Sequence, residues 1–131
     1  MMIIIGCVIF GLVIQSQNKN FIQDIDDSKI NLKADIIMPT KVSRPGCEKT
    51  DSCYIPSKIV ITQGDAVIWK NEDSAFHSVT SGYYSKPNGY FNSEYLDPNE
   101  SFRFIFEKIG TYDYFCTLHP WMKGQVIVEL S

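Results

Sequence analysis

Apolar and polar residues alternate with a period of two along much of the chain after residue 29. Ile30, Leu32, Ala34 and Ile36 interleave with Asn31, Lys33 and Asp35, the pattern of a strand with one buried face. Alternation, or enrichment in β-branched and aromatic residues, also marks 58–62, 65–70, 76–80, 101–107, 111–116 and 125–130. The clearest case sets Phe102, Phe104 and Phe106 on one face and Arg103, Ile105 and Glu107 on the other. Turn chemistry separates these runs at Gln63-Gly64-Asp65, Pro87-Asn88-Gly89, Asp97-Pro98-Asn99 and Ile109-Gly110. No ten-residue stretch carries a convincing helical period. Seven or so short strands between residues 29 and 131 predict an all-β fold, an antiparallel sandwich or barrel. The interval 81–99, rich in Tyr, Gly, Pro and Asn, reads as a long loop with room for a strand piece or a helical turn. Tyr83, Tyr84, Tyr90 and Phe91 would pack it over the sandwich.

Ahead of this domain, residues 1–14 (MMIIIGCVIFGLVI) carry no charge. They fall short of the ~20 apolar residues that span a bilayer and fit the apolar region of a secretory signal peptide. Ser16 offers a small residue for cleavage, whereas Lys19 would flank an uncleaved membrane anchor. Either reading of 1–16 places the rest of the chain outside the cytoplasmic membrane: periplasmic, at the cell surface or extracellular. A buried N-terminal strand is the competing structural reading. Cys7 has only six residues before it, too few for a lipoprotein signal. Residues 17–28, with Asp24, Asp26 and Asp27, read as a polar tether, leaving 29–131 as one domain.

Composition narrows the function. With 44% hydrophobic and 13% aromatic residues in 131, the chain is not of the disordered class. Its net charge is −3 and no Lys/Arg run exceeds two residues, so nucleic acid is not an expected partner. Two histidines, His77 and His119, exclude any centre that needs three imidazoles. Cys47 and Cys53 lie six apart in a proline-flanked loop. A bridge there suits an oxidising compartment and would contribute about 2 kcal/mol on the chain-entropy view; two free thiols are the alternative. The spacing fits a zinc knuckle poorly. Cys116 is then the odd cysteine, a liability in an exported protein unless something occupies it.

Residues 110–128 read GTYDYFCTLHPWMKGQVIV, in which Cys116, His119 and Met122 are spaced Cys-x2-His-x2-Met. They fall where one strand ends and the next begins, so a thiolate, an imidazole and a thioether crowd one loop. That mixture selects copper above other metals. The second imidazole must come from His77, within DAVIWKNEDSAFHSVTS. Taken singly, His77 reads as a satisfied buried histidine, Met122 as core filler and Cys116 as a buried thiol. Taken together they make the two-His, one-Cys, weak axial Met set of a blue copper site.

On these residues the chain resembles the cupredoxins, small blue copper proteins of the plastocyanin and amicyanin type. The resemblance covers about 55–131. It is carried by GDAVIWKNEDSAFHSV, by FRFIFEKIGTYDYFCTLHPWMKGQVIV and by the GYF/NS element at 89–93. The short loop CTLHPWM is most similar to that of amicyanin. The resemblance implies an eight-stranded Greek-key sandwich with one copper at its end, His77, Cys116 and His119 being equatorial ligands and Met122 axial. Many cupredoxins carry Asn after the first histidine; here Ser78 takes that place, and a shorter hydroxyl implies a weaker or rerouted bond across to the cysteine strand. The region before 55, with Cys47 and Cys53, has no counterpart in the short bacterial members.

Four protein ligands leave no open position for substrate, so no enzymatic activity is expected. One-electron transfer remains. An apolar shell of Phe76, Phe91, Pro120 and Trp121 would favour the less charged Cu(I) state, and the Thr117 backbone N–H is a candidate donor to the sulfur. Electrons would pass through the exposed edge of His119, with Leu118, Pro120 and Trp121 as a docking patch; Phe115 suggests a second route. Redox partner proteins would dock transiently on a monomer, held to the membrane if residues 1–14 are retained. The competing readings are a copper storage or delivery protein, an adhesion or structural sandwich, and a dinuclear copper subunit. The last requires two cysteines in the loop where this chain has one.

Overall fold

The computed structural model describes residues 33–131. The leader, Cys7, the tether and Ile30–Leu32 of the first alternating run lie outside the described residues. Eight strands follow in chain order: β1 (Ile36–Met38), β2 (Lys58–Thr62), β3 (Ala66–Asn71), β4 (Thr80–Tyr83), β5 (Lys86–Asn92), β6 (Ser101–Ile105), β7 (Gly110–Phe115) and β8 (Lys123–Glu129). Among the described residues the one helical piece is a single 3₁₀ turn, Cys47–Thr50, between β1 and β2. β1, β3 and β6 form one sheet in that order; the other runs β2-β8-β7-β4-β5. This is the expected β-sandwich with one refinement. β1–β3 and β2–β8 pair parallel, the other four pairings antiparallel.

Burial follows the alternation. On β3, Val67, Trp69 and Asn71 point inward; on β8, Val126 and Val128 do. Phe106 is fully buried and Phe102 and Phe104 pack against the same core, while Arg103 stays outside. Trp69 is the hub, with ring centroids 5.9 Å from Phe91, 5.7 Å from Phe102 and 5.5 Å from Tyr114, the last edge-on. Aromatic pairs at such spacing add to simple area burial.

Three sequence expectations are corrected. Residues 76–79 are not a regular strand: His77 makes a single bridge to Leu96, and β4 starts only at Thr80. Residues 81–92 are not a loop but the β4–β5 hairpin, reversing at Tyr84 and Ser85, with Ser85 in the left-handed region at φ 62°. Pro87-Asn88-Gly89 therefore lies inside β5, at the open edge of its sheet, where a missing N–H is tolerated. Gly82 is required here: its φ is 107°, and a Cβ would stand 2.6 Å from the Lys86 carbonyl oxygen. Finally, Tyr83 and Tyr84 stay largely exposed and touch the sheet only at its rim, Tyr83 donating to the Asp113 carboxylate and Tyr84 meeting Phe115 edge-on. Tyr90 stacks on Tyr112 at 4.7 Å, and Phe91 joins the core.

Candidate metal centre

Three chain segments meet at one end of the sandwich. The first leaves β3 at Asn71, a buried amide that braces the following turn. Its Nδ2 donates to the carbonyls of Ala75 (2.8 Å) and Leu96 (3.0 Å), and its Oδ1 accepts the Asp73 N–H (2.9 Å). The turn delivers His77 to the interior, fully buried. The second segment is Cys116, immediately after the end of β7 and also fully buried. The third is the loop from Cys116 to Met122. It is closed by the Met122 N–H donating to the His119 carbonyl (2.9 Å) and the Cys116 N–H donating to the Met122 carbonyl (3.2 Å).

These supports bring the predicted donors together. Cys116 Sγ lies 3.8 Å from His77 Nδ1 and 3.6 Å from His119 Nδ1, and the two Nδ1 atoms are 3.0 Å apart. All three donors fall within 4.8 Å of one another, a spacing one ion can bridge. Met122 is buried beside them. His77 presents Nδ1 because Nε2 is engaged, 2.7 Å from the Asp73 carboxylate. That carboxylate is buried and also accepts the Lys41 N–H (2.9 Å). A carboxylate behind a ligand histidine fixes ring orientation and tautomer.

The sulfur accepts the Ser78 backbone N–H at 3.3 Å. Thr117 N–H, the expected donor, goes instead to Ser78 Oγ at 2.9 Å. Thus the bridge across to the cysteine strand exists with a hydroxyl, and Ser78 Oγ also lies 3.1 Å from both Thr80 Oγ1 and Thr117 Oγ1. Trp121 packs its ring 5.4 Å from His119. The other apolar residues divide: Phe91 sits in the aromatic core, and Phe76 is 52% exposed. Phe115 is 3% exposed, covered edge-on by Tyr84, so it is not a surface aromatic.

The electrostatics prepare the donors. Burial pushes the Cys116 thiol up, but contact with His77 and the backbone N–H groups of Ser78, Leu118 and His119 outweigh it, and its pKa falls below the usual thiol value. Burial works against charge on His77, yet Cys116 and Asp73 hold its pKa above the ordinary imidazole value. Burial, aided by the neighbouring His77 charge and opposed by Asp73, lowers the His119 pKa below the ordinary imidazole value and favours its neutral form. A thiol biased to thiolate beside imidazoles with free Nδ1 atoms fits a copper ion by donor chemistry. The four residues named from the sequence, His77, Cys116, His119 and Met122, lie together here. Sequence reasoning missed Asn71, Asp73 and the backbone of Lys41, whose only sequence signal was a polar cluster, Asn71-Glu72-Asp73, ahead of the histidine.

A two-sheet β-sandwich with a buried Cys-His-His cluster at one end defines a mononuclear metal-binding protein of the type 1 copper class. The sequence matches the profile of the cupredoxin-like domain over residues 4–128, and the chain belongs to that family. Amicyanin of Paracoccus versutus is 34% identical over 76 residues, 58% of each chain. Plastocyanin of Scenedesmus fuscus is 30% identical over 92 residues, 64% of this chain and 94% of that one. A purple cupredoxin from Nitrosopumilus maritimus is similar in structure, with a TM-score of 0.66, 34% identity, and coverage of 74% of this chain and 100% of that one. The chain spans about three-fifths of the length of the amicyanins it matches. Among the described residues no helix is long and apolar enough to cross a membrane.

Proposed function

We propose that this chain is an exported electron carrier that holds one copper between His77, Cys116, His119 and Met122 and passes single electrons between partner proteins. The observation that carries the reading is the gathering of Sγ and two Nδ1 atoms within 4.8 Å of one another. Copper in such a site supplies a one-electron couple. The protein's part is to keep the donors fixed and dry. Asp73 holds His77, the Ser78 N–H holds the sulfur, and the loop bonds between Cys116, His119 and Met122 set the third donor. Few groups then have to move when the charge at the centre changes. Amicyanin and plastocyanin relatives, electron carriers rather than enzymes, support this use.

Access runs through His119, which is half-buried among Leu118 (41% exposed), Pro120 and Trp121. This apolar rim suits small, short-lived encounters with redox partners. The chain would act as a monomer, soluble outside the membrane or tethered to it by residues 1–14. The test is to add Cu(II) to the full chain and record its absorption. An intense blue or purple thiolate-to-copper band is expected, and Cys116→Ser is expected to abolish it. A colourless Cu(II) adduct, or a band that survives the substitution, would overturn the assignment. Slow electron self-exchange with rapid copper release would instead identify a storage or delivery protein.

A further inference from the structure

The segment between β1 and β2 has no part in the donor set, yet it touches both sides of it. Cys47 and Cys53 are bridged, and the base of the loop is closed by reciprocal bonds between Ile37 and Ile55, each 2.8 Å. Two neighbouring residues inside this closed loop reach the metal centre through backbone groups alone. The Lys41 N–H donates to Asp73 Oδ1 at 2.9 Å, and Asp73 Oδ2 holds His77. The Val42 carbonyl accepts the Trp121 indole N–H at 3.0 Å, and that ring packs on His119. The bridge sits against the same groups, Cys47 Sγ 4.0 Å from the Val42 carbonyl oxygen and Cys53 Sγ 3.9 Å from that of Trp121. Lys41 lies in the left-handed region, φ 73°, a conformation a lysine adopts at a cost. Here it aims the N–H at Asp73.

We infer that segment 39–56, whose Cys47–Cys53 bridge backs the carbonyls of Val42 and Trp121, is a brace that positions both imidazoles, His77 through Asp73 and His119 through Trp121, and that opening the bridge loosens the pair together. The bridge closes only Cys47–Cys53 within the sixteen residues between Met38 and Ile55, so it acts on the arm carrying Lys41 and Val42 by packing, with Cys47 against the Val42 carbonyl and Cys53 against that of Trp121. Val42 and Cys53 are buried, so the brace is packed as well as bonded. The inference rests on the proposed metal site only for its consequence; the brace itself is a property of the copper-free chain.

The test uses the copper-free full chain, wild type against Cys47→Ala/Cys53→Ala, and follows indole N–H hydrogen exchange by NMR. The chain has two tryptophans, so Trp69, fully buried in the core, serves as an internal reference. Exchange at Trp121 is expected to quicken about tenfold or more in the variant while Trp69 changes little, the mark of local opening. Equal Trp121 rates in the two proteins overturn the inference, and so does a parallel rise at both indoles, which would mean general destabilisation. If the double variant does not fold, the wild-type bridge is reduced with a phosphine and judged by the same comparison. In the copper-loaded protein, bridge removal is expected to alter the Cu(II) EPR hyperfine splitting. In an Asp73→Asn/Trp121→Phe background that alteration is expected to vanish; its persistence overturns the route. Failure of the wild type to bind copper would sink the proposed function and leave the exchange comparison standing.

Discussion

Ser78→Ala isolates the side-chain bridge between the His77 turn and the cysteine strand. The substitution removes the acceptor of the Thr117 N–H (2.9 Å) and a hydroxyl that lies 3.1 Å from both Thr80 Oγ1 and Thr117 Oγ1. Thr80 keeps its bond to Asn92 Oδ1, so one buried hydroxyl remains satisfied. An orphaned buried donor costs about 1–3 kcal/mol. Thr117 is exposed, which admits water to the vacated N–H and puts the cost in the lower part of that range, about 1–2 kcal/mol. For a domain near 100 residues this lowers the melting temperature by about 5–10 °C. Calorimetry on the copper-free protein measures it. The backbone N–H of residue 78 is untouched, so the Cys116 thiol should keep its depressed pKa, read from thiolate absorbance. A melting temperature within about 2 °C of wild type would refute the claim that the hydroxyl ties the two strands together. A thiol pKa restored to its ordinary value would refute the assignment of the sulfur bond to the backbone.

Two further outcomes are expected. Tyr54 donates its buried hydroxyl to the Ser78 carbonyl at 2.7 Å, whereas the Tyr114 hydroxyl has no partner among the described residues. Tyr54→Phe should therefore cost about 1–2 kcal/mol and Tyr114→Phe close to nothing, as urea unfolding midpoints would report; equal losses would contradict this. Asp73 is pushed up by burial, but the bond to His77 and the N–H groups of Lys41 and Ser74 win and hold its carboxyl below the usual range. Its contribution is thus full above the ordinary carboxylate pKa and is lost as pH falls through the folded value. Urea midpoints of the copper-free protein between pH 6 and 3 should fall less steeply in Asp73→Asn than in wild type, and parallel acid limbs would sink this.

The donors were legible because each is chemically distinctive and scarce: two histidines, one unbridged cysteine among the described residues, one late methionine. Their supports were not, because these are largely backbone groups that every residue carries. Lys41 N–H and the Val42 carbonyl reach partners 32 and 79 positions away, and no residue type announces them. The alternation at Phe102, Phe104 and Phe106 located a strand and its inner face correctly. It could not say that β1 and β2 pair parallel with their neighbours, since period two carries no direction. Pro87 and Gly89 misled because a sheet edge accepts residues that a central strand would not. At Phe76–Val79 the apolar pattern was real, but one bridge to Leu96 is all the pairing the turn into the site allows.

The cluster does not hold itself together. Two imidazole nitrogens 3.0 Å apart beside a buried sulfur attract one another, but desolvating such groups is unfavourable and their mutual contacts fix no single geometry. The geometry must be imposed from outside, and each donor has a separate restraint. His77 is fixed by a carboxylate that Asn71 and Lys41 position, Cys116 by a strand end and the Ser78 N–H, His119 by a loop closed on Met122 and flanked by Trp121. The restraints draw on β3, β7, the ligand loop and the bridged segment 39–56, so no single element could yield without strain in the others. A centre assembled this way keeps its shape when charge is added or removed, because the cost of displacement falls on a packed core and not on the donors alone.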